Sequence, residues 1–373
     1  MRQNKLTVII PIRPGAEGDL EAVLKETGDH IATDPTLPFP RSPSTHFARF
    51  VIFRREKRLL FSACYSGGLA DYARQLVTVM GPGLDKVFRH CHGYEHGSWL
   101  TAPTATRFCE TYDQGTSFFV VAFPGKTVSE IVAATRLRAT LSDLLDVERV
   151  RAAVGDLYPQ GLQIPAPRYK QKKPNTALVN FIDSLLVKPM PKHSNTVLKT
   201  SKEVTAVEDR IVQNELTCFS TNKPGFQRLL LRAVFLGARL RGLLGSSIGG
   251  LPMIHFAQWS IIDRGEHLLF ESNYDGTWEK YIDDFIDNSF LGMNAIWGRS
   301  PDYPPGGARN TEAFKKGIRD FQYPAQVFYS AYRDSTVQNI YDSLALHKAV
   351  TAGARSLSFR RFVSGSHTQL VIQ

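Results

Sequence analysis

Residues Thr45–Gly67 read THFARFVIFRREKRLLFSACYSG, and residues Ile254–Gly276 read IHFAQWSIIDRGEHLLFESNYDG. Superimposed at an offset of 209 without a gap, they are identical at ten of 23 positions. The identities are His46/His255, Phe47/Phe256, Ala48/Ala257, Ile52/Ile261, Arg55/Arg264, Leu59/Leu268, Leu60/Leu269, Phe61/Phe270, Tyr65/Tyr274 and Gly67/Gly276. Each stretch holds two runs rich in β-branched and aromatic residues around a charged turn, the pattern of paired strands.

The match extends outward. Asn4-Lys5-Leu6-Thr7 with Arg13-Pro14-Gly15 mirrors Asn214-Glu215-Leu216-Thr217 with Lys223-Pro224-Gly225. Phe119, Ala122, Thr127, Val128 and Ile131 mirror Phe328, Ala331, Thr336, Val337 and Ile340. Three separated blocks in one order and nearly one register read as an internal duplication. In the first copy the pattern predicts strands at 6–12, 46–53, 59–65 and 117–123, with helices at 18–27, 69–88 and 127–145. In the second it predicts strands at 216–220, 255–262, 268–274 and 325–332, with helices at 226–244, 278–285 and 336–349. The order βαββαβ is the ferredoxin-like motif. The expected fold is α+β, two tandem ferredoxin-like repeats packed sheet to sheet as an α+β barrel, because each sheet has one face without helices. The expected domains are 1–150, a basic proline-containing linker at 151–209 and 210–373. Within the linker, Ala177–Val187 (ALVNFIDSLLV) has the spacing of a short amphipathic helix.

Composition narrows the function classes. The chain has 373 residues, of which 43% are hydrophobic and 21% charged, enough for two cores. No run approaches the ~18 apolar residues of a membrane span, and the start lacks the pattern of a secretory signal, so the expected location is cytoplasmic. Four sparse cysteines in no CxxC pair argue against a disulfide framework. The net charge of +10 is spread along the chain without a nucleic-acid recognition motif. Contact with an acidic membrane surface or an anionic substrate is the alternative use of that charge, and self-association stays open. GxGxxG, P-loop, GxSxG, HExxH and CxxCH patterns are absent.

His46 and His255 stand in both copies, either as structural histidines or as a ligand or acid/base. Alternation along a strand places His46 with Ala48 and Phe50, and His255 with Ala257 and Trp259. Where the copies diverge, Arg49 stands against Gln258, Cys64 against Asn273 and Ser66 against Asp275. Asn273-Tyr274-Asp275-Gly276 reads either as a turn or as a polar pair at a strand exit. His90-Cys91-His92 with His96 offers four metal-ligand types in no standard zinc spacing. Leu291–Arg309 reads as an aromatic, Gly/Pro-rich loop, either a surface excursion or a segment that shapes a pocket mouth. Arg333 can pair with a carboxylate, and His347 lies on the last helix.

At the paired strands, Leu59-Leu60-Phe61 and Leu268-Leu269-Phe270, each followed by a polar strand end and a helix, resemble the dimeric α+β barrel superfamily. HLLFESNYDGTWEKYIDDFI is similar in shape to the corresponding segment of dye-decolourising haem peroxidases, although the GxxDG pattern of that family is absent. The resemblance implies haem b, a histidine on the iron and a distal aspartate and arginine. The expected function is a haem-dependent, peroxidase- or oxygenase-like oxidoreductase acting on an apolar or aromatic small molecule. His255 is the expected iron ligand, with His46 and His347 as alternates and Trp259 in the pocket wall. Asp275, Asn273, Arg49 and Arg333 are the expected catalytic groups. A cofactor-free enzyme using His255 and Asp275 is the second expectation, and a non-catalytic binding or membrane-surface protein the third.

Overall fold

The computed structural model describes residues 2–145, 212–243, 251 and 253–353. The linker tract 151–209, with its amphipathic piece, lies outside the described residues. The chain divides into two compact units. One spans 1–128 and 169–334; the other spans 129–168 and 335–373.

The first unit is mixed α+β with two four-stranded antiparallel sheets. Its first half runs β1 (Gln3–Pro11), α1 (Glu17–Asp29), β2 (Thr45–Phe53), β3 (Arg58–Ser66), α2 (Leu69–Phe88), α3 (Ala102–Tyr112) and β4 (Phe118–Val121). After α4 (Val128–Leu145), the second half runs β5 (Gln213–Thr221), α5 (Phe226–Leu243), β6 (Ile254–Ile262), β7 (His267–Asp275), α6 (Trp278–Trp297), α7 (Thr311–Phe321) and β8 (Val327–Ser330). A last helix, α8, covers Val337–Gly353.

Equivalent strands pair in equivalent registers. Leu6 faces Ala63 across β1 and β3, and Leu216 faces Ser272 across β5 and β7. Gly67 and Gly276, identical in the two stretches, both take positive φ, 101° and 79°, where the chain leaves a strand for a helix. Tyr65 stacks on Tyr72 at 4.1 Å between centroids, and Tyr274 on Tyr281 at 3.9 Å.

The fourth strand of each sheet departs from the ferredoxin-like expectation. The sheet orders are β1-β3-β2-β8 and β4-β6-β7-β5. The first half therefore gives β4 to the second sheet, where Phe118 faces Trp259, and receives β8, where Phe47 faces Ser330. Apolar alternation says which face of a strand is buried; it does not say which neighbour supplies the hydrogen bonds.

Alternation along β2 and β6 sorts side chains between two cores. Ala48, Phe50 and Ile52 face the helices with Leu20, Leu24, Leu76 and Phe88. Val51, Phe53, Ile9 and Leu60 face the other way, onto Phe219, Ile262 and Leu269 of the second sheet. The two sheets thus bury their helix-free faces against each other.

A β-bulge interrupts each alternation. The register slips between Thr45 and Phe47 and between Ile254 and Phe256. The extra residues are His46 and His255. The bulge turns them away from the helix face, against the expectation that they share it with Ala48, Phe50, Ala257 and Trp259.

Two short helices were not foreseen. Helix α3 contains Pro103 and three Thr, and α7 contains two Lys and a Gly, and the apolar face of each, Ala105-Phe108-Cys109-Tyr112 and Phe314-Ile318-Phe321, spans only about two turns. Helix α6 runs through the segment expected to be loop, as far as Trp297; the loop begins at Gly298. In the second unit, Arg138 of α4 donates to the backbone oxygen of Asn339 at 3.2 Å and lies 3.9 Å from Asp342.

Candidate functional site

Between the sheets sits a buried polar cluster. Arg49 projects from the middle of β2 and is almost fully buried. Its Nη1 donates to Glu215 Oε2 at 2.9 Å and to Thr217 Oγ1 at 2.8 Å. Its Nη2 donates to Asn273 Oδ1 and to the Ser272 carbonyl, and its Nε lies 3.5 Å from Glu271. Lys5 Nζ lies 3.5 Å from the same Glu271, whose other oxygen accepts from Gln258. Burial pushes the Glu215 carboxyl pKa up while Arg49 opposes the rise. Both cations come from the first half and both carboxylates from the second. Lys5 and Glu215 even hold equivalent places in the mirrored NKLT and NELT segments.

Beside this cluster lie the two bulge histidines. His46 Nε2 bonds Ser66 Oγ at 2.8 Å and its Nδ1 bonds the Tyr332 hydroxyl at 3.2 Å. Burial holds its pKa down at about 3, so the ring is neutral. His255 Nε2 lies 2.7 Å from Asp275 Oδ1. Aromatic rings enclose both: Phe47 and Phe123 stand edge-on to His255 at 5.6 and 5.8 Å, and Phe256 lies 5.6 Å from His46.

An apolar crevice lies elsewhere, between the helix-facing side of β5 and β7 and helices α6 and α7. Its empty space is about 460 Å³ with the solvent at its open mouth included. Its walls are Leu216, Cys218, Phe270, Tyr281, Ile282, Phe285, Met293, Trp297, Tyr303, Pro304, Phe314, Gly317, Ile318 and Phe321. None of these is ionised at neutral pH. Burial pushes the Cys218 thiol pKa well up, so it is a thiol, not a thiolate.

The first half shows how the crevice arises. There Phe108 of α3 packs on Phe88, Tyr94 and Trp99 at 4.8, 5.4 and 5.7 Å. Helices α3 and α7 are both 11 residues long and keep the offset of 209. Gly317 therefore stands in place of Phe108, and Ala308 in place of Trp99. Phe314, Ile282 and Trp297, in place of Ala105, Ala73 and Phe88, take back part of the space. A Cβ added at Gly317 would still meet nothing within 4 Å.

The structure therefore divides the expected site residues. Arg49 meets Asn273, and His255 meets Asp275, all between the sheets. Trp259 faces the helices, 4.9 Å from Phe270 and 6.5 Å from Trp297 of the crevice wall. Arg333 is exposed in the turn after β8, and His347 is half-buried on α8 in the second unit. Among the described residues no group of three or more His, Cys, Asp or Glu could hold a metal. Cys91 is buried, while His92 and His96 are exposed. Ring packing and hydrogen bonds occupy the surroundings of His46 and His255, and the crevice wall carries no histidine. Gly317 and Ala308 were the missed residues. Their signal is small side chains opposite Phe and Trp, visible only once α3 is aligned with α7.

No family profile and no curated protein matches the chain. Among solved structures, the chain is similar to one from Lactobacillus acidophilus NCFM, described as a "putative monooxygenase". Identity is 6%, covering 89% of this chain and 97% of the other, with a TM-score of 0.26.

Proposed function

We propose that the chain is two diverged copies of one α+β unit, joined as a single-chain barrel, that takes a small apolar or aromatic molecule into the crevice under α6 and α7. The crevice itself carries this reading: a volume walled by Phe, Trp, Ile and Leu that the first half fills with its own Phe108 and Trp99. The activity class we assign is an oxidoreductase working on that molecule without haem. This class follows the superfamily resemblance of the paired strands, and the haem-free form follows the packing around His46 and His255.

The wall has no base or acid ionised at neutral pH, so the protein's part is to bind, orient and exclude water. The electrons would come from a substrate that is itself readily oxidised, such as a hydroquinone, which gives two electrons and two protons to dioxygen and leaves as the quinone, with hydrogen peroxide as the other product. Displacement of a fluorescent apolar probe, N-phenyl-1-naphthylamine, measures occupancy. Wild type binds the probe, and Gly317→Phe, which rebuilds the plug of the first half, loses it at unchanged thermal stability. Equal binding by the two proteins would sink the crevice as the site. Oxygen uptake with bound hydroquinones, measured separately, tests the activity class: binding without uptake would leave a carrier protein.

A further inference from the structure

Helix α5 exposes an apolar stripe. Phe226, Leu229, Leu236 and Leu240 are each between 55% and 68% exposed. Among the described residues the only other exposed large hydrophobics are Leu100 and Val212. With exposed Ala233, the stripe has the 3-4-3-4 spacing of one continuous helix face. The opposite face holds Leu231 and Phe235, both buried in the core. Among the described residues the stripe is therefore surplus to packing, and a contiguous exposed patch of this kind marks an interaction surface.

Charge identifies what it meets. From Leu216 to Ile262 the sequence has five basic residues and no Asp or Glu. Arg228, Arg232 and Arg239, spaced by four and seven, run along one flank of the stripe. Arg239 is fixed by donating to the carbonyls of Thr116 and Ser117, and Arg232 by donating to that of Arg264. Two copies meeting through this face would bring arginine rows together with no carboxylate on the helix to separate them. Arg228 lies 3.6 Å from Glu266, whereas an anionic lipid surface supplies counter-charge for Arg232 and Arg239 and an apolar phase for the leucines. Helix α5 would lie in that surface rather than cross it, since no described helix is long and apolar enough to span a membrane.

We infer that α5 seats this protein on anionic membranes, its Phe226–Leu240 stripe in the acyl boundary and its arginines at the headgroups. The test is co-sedimentation of the full chain with phosphatidylcholine vesicles, with and without phosphatidylglycerol, at low and high salt. The expected result is pelleting with the phosphatidylglycerol vesicles alone, weakened by salt. Leu229→Glu and Leu236→Glu should each weaken it by about tenfold, the scale of withdrawing one leucine from an apolar phase. Both side chains are exposed, so an unchanged melting curve and unchanged probe binding in the crevice confirm the fold of the variants. Vesicle binding that survives both substitutions would reduce the effect to net charge and overturn the inference. So would absence of vesicle binding, or light scattering that shows a wild-type dimer turned monomeric by Leu236→Glu, which would assign the stripe to a second copy.

Discussion

Removing the Arg49 guanidinium would leave Glu215 and Glu271 in the interior with only Lys5 nearby. Breaking a buried ion pair from one side costs about 3–5 kcal/mol, because the orphaned charge keeps its desolvation penalty. Arg49→Met is therefore expected to lower unfolding free energy in urea by about that amount. Adding Glu215→Gln should recover part of it, and strictly additive losses would show that the two do not act as a pair. His46 makes a second prediction at this scale. Its pKa is held at about 3 in the fold and rises to about 6.5 when the chain unfolds. Between those values the unfolded chain binds the extra proton. Stability from this group is complete above pH 6.5 and is lost as pH falls toward 3, by at most about 1.4 kcal/mol per pH unit. His46→Gln should flatten that part of the stability–pH curve relative to wild type; parallel curves would place the acid sensitivity elsewhere.

Elements show what periodicity can carry. The strands from Thr45 to Ser66 and from Ile254 to Asp275 stand where apolar runs on both sides of a charged turn placed them, to within a residue or two. The bulges were not legible, since one extra residue leaves composition unchanged and reverses every face beyond it. That single step moved His46 and His255 from the helix side to the space between the sheets. The crevice was hidden because its signature is the absence of two large side chains, at Gly317 on a short helix that was not foreseen and at Ala308 just before it. Helix α2 offers a test of close packing. It bends at Met80, whose φ and ψ are −148° and 20°, and carries Pro82. A Cβ at Gly83 would run into the Thr36 carbonyl. Gly83→Ala should cost about 1–3 kcal/mol, as overpacking does, although alanine favours helix over glycine in the open. A stabilised variant in thermal melts would show that the approach is looser than this.

At the scale of the whole chain, the exchange of β4 and β8 makes each sheet depend on both halves. Fragments 1–150 and 210–373 would each carry a three-stranded sheet with an unpaired edge at β2 or β6, a template for aggregation. Expressed alone, each is expected to be insoluble or self-associated; expressed together, they are expected to co-purify in equal amounts. A monomeric, folded 1–150 fragment would contradict that dependence. The likeness of the halves could be read from sequence, because an offset of 209 leaves its mark at ten positions of 23. The trade of strands could not, because both partners of each edge bury the same kinds of residue.

That trade also sets a timetable for biosynthesis. Phe47 of β2 finds its outer neighbour only when Val327–Ser330 has been translated. At ordinary elongation rates the interval is on the order of tens of seconds. Throughout it the nascent first half presents a bare edge to solvent, which makes it a natural client for chaperones that shield unpaired strands on the ribosome.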